Sequence, residues 1–477
     1  IQCRVTSPYI TPMLCISDTQ LNHTCAGYSR RDFIRAGSLG LAGLTLPNLL
    51  KAKESGLPIT GKSVVMLFLQ GGPPHIETFD PKMTAPAEIR SITGEVKTRI
   101  PGVTFGSTFP KMARIADKLA VVRSYGSQNG GHTYEKVMIG GNDMEASMGA
   151  IYSRIAGTTH PETAMPSNVL ILPEAVDPGL KLQSNFETSA LKTLYPTGTL
   201  GSAMAPFNPA SSGEIQDTMQ LNIEPDRLSD RRSLLERLDR LRRKADKTAV
   251  ENMDQFQQQA FDIITRGVGK AFDLSTEDPR TIARYDTRHL FDEKKLQRWH
   301  DMKRATNKLG LQMLMARKMC EAGCGFVTVS DCGWDYHANN NSPKNMAGIY
   351  PMGGQVDHAV TAFLEDVEAR GLSEQILLII TSEMGRTPQL NKTGGRGHYG
   401  NLTPLVFAGG GLNMGQVIGE SDAGAANPAT RGYTPHHLLG TVMHTLFDMN
   451  QLRVTDGLPG EIIDLANRAE PIPELFG

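Results

Sequence analysis

The sequence predicts an α/β protein in which a mostly parallel sheet is sandwiched between helices and interrupted by one helical insertion. Three observations carry this. Short apolar runs recur along the chain: VVMLFL from Val64, LAVV from Leu119, VLIL from Val169, FVTV from Phe326, ILLIIT from Ile376 and LVFA from Leu405. They are continuous, not alternating, as strands covered on both faces must be. Amphipathic segments lie between them, such as DHAVTAFLEDVEAR over Asp357–Arg370, and strand–helix alternation of this kind builds a parallel sheet. Finally, Glu224 to His300 is charged, nearly free of glycine and helical in pattern, with Leu234, Leu238 and Leu241 on one face of LLERLDRLRRKAD. That segment reads as a helical insertion beside the sheet.

The chain divides accordingly. Residues 53–223 and 301–477 form the two parts of the core, with 224–300 inserted between them. Residues 29–52, SRRDFIRAGSLGLAGLTLPNLLKA, look like a twin-arginine export signal: Arg30 and Arg31, then Phe33 and Ile34, then a glycine-softened apolar run. That run is too short and broken to be expected as a stable membrane span. An uncleaved anchor is the alternative. Residues 1–28 show no pattern and are expected to be an over-extended start. The expected location is periplasmic or secreted, with the twin-arginine translocase as a partner during export.

At 477 residues with a net charge of −1, the chain generates no global field that would recruit nucleic acid. The arginines of the insertion are interleaved with acidic residues and read as a solvated helix surface. Of six cysteines, Cys3, Cys15 and Cys25 precede the signal, while Cys320, Cys324 and Cys332 remain. Spacing of four on a helix end does not suit an unstrained disulfide between Cys320 and Cys324, so buried structural thiols are expected, with a thiolate zinc site as the alternative. GGGLNMG, Gly409 to Gly415, lacks a Walker lysine and reads as a turn after a strand. His436, His437 and His444 lie on a predicted C-terminal helix and read as packing or surface residues.

Ligands of such sheets bind at the carboxyl ends of the strands. The first strand exits into QGGPPHIETFDP, with Gln70, His75, Glu77 and Asp80. The second leads to NGGHTYEKVMIGG, placing His132 and Thr133 at a predicted helix N-terminus. FVTVS exits into DCGWDYHANN, with Asp331, Asp335 and His337; ILLIIT exits into SEMGRTPQLNKTGGRGHYG, with Glu383, Arg386 and His398. Asp335, His337, Glu383 and His398 make a mixed O/N donor set suited to zinc or manganese, with calcium as the alternative. Arg386 would offer a planar fork to phosphate or sulfate oxygens. The helix start at Thr133 would add backbone N–H groups for an anion.

The ordered series SRRDF, FLQGGPPHIETFDPK, GWDYHANN, SEMGRTPQLNKTGGRGHY and FAGGGLNMGQVIGESDA resembles a large bacterial family of twin-arginine-exported proteins. That family carries a domain of unknown function and is placed with the alkaline phosphatase and sulfatase superfamily. The resemblance runs from Ser29 nearly to the C-terminus and implies an alkaline phosphatase-like core. It also implies divalent ions at the strand exits, one held by an Asp, a nearby His and a second His; Asp335, His337 and His398 resemble those ligands. Gln70 stands where an Asp would serve a second ion, and Glu383 and Met384 stand where an Asp–His pair would. Glu383 could still ligate, whereas Gln70 is a poorer ligand and Met384 an unsuited one. NGGHTYEKVMIGG is similar to the helix frame of formylglycine sulfatases, but Gly130 is near the nucleophile position and no C-x-P-x-R occurs.

The expected function is an exported metal-dependent hydrolase of phosphate or sulfate esters, not of the formylglycine type. Its metal ligands would come from Asp335, His337, Glu383, His398, Gln70 and His75. Thr133 or water would attack, His132 or His75 would move protons, and Arg386 would stabilise charge. The substrate would be a small anionic ester or a sulfated or phosphorylated glycan. The alternative is a non-catalytic envelope or polysaccharide-associated binding protein on a degenerate hydrolase core.

Overall fold

The computed structural model describes residues 57–210 and 269–477. The expected export signal, the first three cysteines and the leucine stripe of Leu234, Leu238 and Leu241 lie outside the described residues. Among the described residues, no helix is long and apolar enough to cross a membrane.

All six apolar runs form strands of one seven-stranded sheet. In chain order these are β1 (Ser63–Gln70), β4 (Ala120–Val122), β5 (Asn168–Ile171), β6 (Phe326–Cys332), β7 (Ile376–Thr381) and β10 (Val406–Gly409), joined by β11 (Gln416–Ile418). The spatial order is β11-β4-β10-β7-β1-β6-β5. Two small hairpins stand apart: β2 (Glu95–Lys97) with β3 (Thr104–Gly106), and β8 (Gly385–Arg386) with β9 (His398–Tyr399). The sheet is parallel except for β10, which runs against both β7 and β4. No helix intervenes between β7 and β10, and without a helical crossover the chain returns antiparallel.

β1 is buried along its whole length, and its side chains alternate between two cores. Val65, Leu67 and Leu69 face helices α4 (Leu309–Glu321) and α5 (Ile349–Ala369). Val64, Met66 and Phe68 face α1 (Glu135–Ile139), α2 (Met148–Ala156) and α6 (Pro435–Leu446). Continuous apolar runs are what this two-sided burial demands. α5 contains the predicted segment from Asp357 to Ala369, with Arg370 as its C-cap, and begins earlier, at Ile349.

From 269 onward, the second part of the expected insertion is described. Its short helices pack Tyr285 and Leu296 into the core beside α4 and α5. Cys320, Cys324 and Cys332 are buried free thiols, with burial pushing each thiol up. Among the described residues they form no metal-holding group. The GGGLNMG segment is a turn between β10 and β11 whose glycines take left-handed φ, and His437 caps α6 by bonding Thr434.

Register positions the site. Gln70 aligns with Cys332, and Phe68 with Thr381, so the exits of β1, β6 and β7 open at one level.

Candidate metal centre

Glycines let these three exits close on one another. Gly71 has φ +114°, and a Cβ there would stand 2.6 Å from the Asp335 backbone nitrogen. Only a residue without a side chain lets the end of β1 approach the loop after β6 this closely. Asp335 thereby lies over Arg386, which sits on the two-residue strand β8.

Arg386 is fully buried. Its Nε donates to Gly72 O at 2.8 Å, and its Nη1 to Arg396 O at 3.1 Å. Its Nη2 faces Gly71 O, Trp334 O and Asp335 Oδ1. The expected outward fork for a substrate anion is therefore absent. The guanidinium is turned inward onto the carbonyls of Gly71, Gly72, Trp334 and Arg396, and it acts on Asp335 instead.

Around the other side of Asp335 stand three imidazoles. His337 Nε2 is 3.1 Å and His398 Nε2 3.4 Å from Asp335 Oδ1, and the two nitrogens are 2.8 Å apart. His132 Nε2 lies 3.4 Å from Asp335 Oδ2, while its Nδ1 lies 3.2 Å from Glu383 Oε1. Donor atoms of His132, Asp335 and His398 likewise fall within 4.8 Å of one another, so His132 shares the cluster with the Asp335–His337–His398 triangle.

The donors fit a cation. Ligands about 2.0–2.1 Å from a tetrahedral zinc stand about 3.3 Å apart, close to the spacings of 3.1, 3.4 and 2.8 Å in the Asp335–His337–His398 triangle. Two imidazole nitrogens facing each other across one carboxylate oxygen compete for a single proton, whereas a cation takes both lone pairs at once. A nitrogen-rich set favours zinc or manganese over calcium.

Electrostatics sharpen the site. Burial alone would raise the Asp335 carboxyl, but the Arg386 charge and the hydrogen bonds from His132, His337 and His398 hold it well below the usual carboxylate range. Burial alone would lower His132, yet its hydrogen bonds to Asp335 and Glu383 win and carry it to about 9.

The remaining expected residues take other places. Glu383 is buried; its Oε1 also accepts from Gly71 N at 2.9 Å and its Oε2 from Ser382 Oγ at 2.8 Å, so it reaches the cluster through His132. Gln70 is sealed as a ligand: its Oε1 accepts from Tyr134 Oη at 2.8 Å and its amide nitrogen faces Ser330 Oγ. His75 is outside the cluster. Its Nε2 is 3.0 Å from Ala425 O, and burial lowers it to about 4. Thr133 is exposed. The helix after it begins only at Glu135, and Tyr134 N is already bonded to Thr193 Oγ1 at 3.0 Å, so the expected anion-binding helix start is not formed there.

Two residues near the site had no signal in the sequence. Phe186 lays its ring against His132, with centroids 4.0 Å apart, and buried Glu187 accepts from Gly333 N at 2.8 Å. Both belong to the short helix α3 (Phe186–Ala190), whose Asn185 cap is readable but whose reach across to His132 is tertiary.

No curated protein matches the chain. Among solved structures it is similar to PsFucS1 sulfatase from Pseudoalteromonas sp., at 14% identity, 81% of this chain, 69% of that one and a TM-score of 0.28. It is also similar to the phosphonate monoester hydrolase of Silicibacter pomeroyi, at 12% identity, coverages of 80% and 73% and a TM-score of 0.32. The lipoteichoic acid synthase LtaP of Listeria monocytogenes gives 8% identity, coverages of 88% and 81% and a TM-score of 0.31. At these scores the likenesses add nothing to what the residues themselves establish. One match does: residues 61–476 fit the family described as "Protein of unknown function (DUF1501)", and with nearly all of the described core inside that span the chain belongs to this family.

Proposed function

We propose that the protein is an exported, metal-dependent hydrolase of phosphate or sulfate esters, acting in the periplasm or outside the cell. The observation that supports this best is the triangle of Asp335 Oδ1, His337 Nε2 and His398 Nε2 at the aligned exits of three strands. Asp335, His337 and His398 would hold the cation, with His132 on the second Asp335 oxygen. A zinc or manganese ion bound there supplies Lewis acidity toward an ester oxygen. Export rests on the twin-arginine pattern at 29–52.

The chain's own residues have distinct tasks. Arg386 fixes Asp335 and keeps it ionised. Glu383 orients His132 through Nδ1, so that the proton on Nε2 can pass to a leaving oxygen. The exposed Thr133 hydroxyl and water are the candidate nucleophiles. Anionic esters, including sulfated or phosphorylated glycans, suit a site whose imidazoles are partly exposed while the Asp335 and Glu383 carboxylates are buried.

A second reading, a binding protein on a degenerate hydrolase core, is favoured by the sealed Gln70 and Arg386. Chromogenic phosphate, phosphodiester and sulfate esters, assayed with added zinc or manganese, separate the two. Turnover that disappears in His337→Ala supports the hydrolase. Turnover that survives in that variant removes the assignment of this site, and silence across the panel shifts the reading to binding.

A further inference from the structure

We propose that Phe186 is a positioning residue for His132, and that the segment Asn185–Thr193 clamps this histidine in the geometry the centre requires; the proposal rests on the metal centre read above. The loop entering His132 contains Gly130 and Gly131. Neither takes a left-handed φ, and a Cβ on either would meet nothing within 4 Å. Their freedom is spent on no tight turn or close approach, so they leave the approach to His132 loose. Asn129 ties the backbone, with its amide nitrogen on Gly131 O at 2.9 Å and Thr133 O at 2.6 Å, but nothing on that loop holds the ring.

The ring is held from outside. Phe186 stacks on it at 4.0 Å and 31°, and His398 meets it edge-on at 4.5 Å and 81°. These are favoured arrangements for facing rings, and they fix the plane in which both imidazole nitrogens meet their carboxylates. Phe186 is itself anchored. Its neighbour Glu187, fully buried, accepts from Gly333 N at 2.8 Å and from Asn185 Nδ2 at 3.1 Å. Farther along, Thr193 Oγ1 accepts from Tyr134 N at 3.0 Å. One short segment therefore grips the loop two residues before Asp335 and the loop two residues after His132, and lays an aromatic ring on the imidazole between them.

The test compares Phe186→Ala, Phe186→Leu and Phe186→Tyr by zinc affinity in chelator competition, and by the NMR signals of the His132 ring, assigned from their absence in His132→Asn. Ala and Leu should each weaken zinc by up to about tenfold, the lower end for outer groups that support a metal ligand, since Phe186 acts on Asp335 through His132, and should remove the upfield ring-current shift of His132. Tyr should retain both. A Leu variant with wild-type affinity and an unmoved His132 signal would reduce Phe186 to mere packing and overturn the clamp. If the unaltered protein takes up no zinc, the proposed function fails, while the clamp is still decided by NMR: equal His132 shifts in the wild type and Phe186→Ala overturn it.

Discussion

Asp335 and Asp366 are equally buried, at 3% exposure each, and both are paired with arginine, yet they belong to different kinds of region. Asp366, on α5, is closed on every side: Arg317 Nε and Arg370 Nε each donate at 3.0 Å, and Tyr285 Oη donates at 3.0 Å. Glu277 and Glu321 balance the arginines. Asp335 has an arginine on one side only, and its other side is lined by three partly exposed imidazoles. The first arrangement presents its oxygens to protein donors alone. The second leaves carboxylate and imidazole lone pairs converging on one point. A buried aspartate–arginine pair thus says little by itself; what stands on the far side of the carboxylate separates scaffold from site.

The largest effect should come from breaking the scaffold pair. Arg317→Ala leaves Asp366 buried with less compensation and should lower stability by about 3–5 kcal/mol, read by denaturant unfolding, without changing the metal content of protein that remains folded. His398→Ala should do the opposite. Its side chain is 23% exposed, so folding should hold, while metal affinity should fall at least about 100-fold, beyond what outer partners contribute. Should Arg317→Ala strip the metal, or His398→Ala unfold the chain, the contrast between the regions breaks down.

A third aspartate sharpens it. Asp331, inside β6, has neutral partners only: Trp334 Nε1 donates at 2.8 Å and Gln355 Nε2 at 3.2 Å. Burial pushes its carboxyl up to about 7. Its folded value exceeds its unfolded one, so the native state binds the extra proton, and stability should decline as pH rises from about 4 to about 7. Asp331→Asn should remove that decline and stabilise the protein at pH 8 by on the order of 1–3 kcal/mol, since the new amide can donate to Gln355 Oε1, which has no partner now. Melting curves across that pH range check the sign. The smallest effect is expected at Thr133→Val: exposed, the hydroxyl should be dispensable if water attacks, and turnover should stay within about twofold. A collapse in turnover would make Thr133 the nucleophile.

Much of this was legible in the sequence. All six apolar runs are strands, because two-sided burial writes itself as continuous hydrophobicity, and the Asp335–His337–His398 set converges because register levels the strand exits. The antiparallel run of β10 was not legible, since direction depends on whether a helix crosses between strands. Arg386 misled for a related reason: besides Asp335, its acceptors are backbone carbonyls of Gly71, Gly72, Trp334 and Arg396, and no side-chain pattern records them. Gln70 was sealed by Tyr134 and Ser330, one from a loop and one from a neighbouring strand. That His132 bridges Asp335 and Glu383 was not legible either, because those carboxylates lie 203 and 251 positions along the chain.

The central claim is that Asp335, His337 and His398 form a metal centre. Elemental analysis of the folded protein, purified without chelators beside His398→Ala, tests it most directly. The expected result is about one equivalent of zinc or manganese, lost in the variant. A folded wild type that carries no transition metal and takes up none on titration would contradict it.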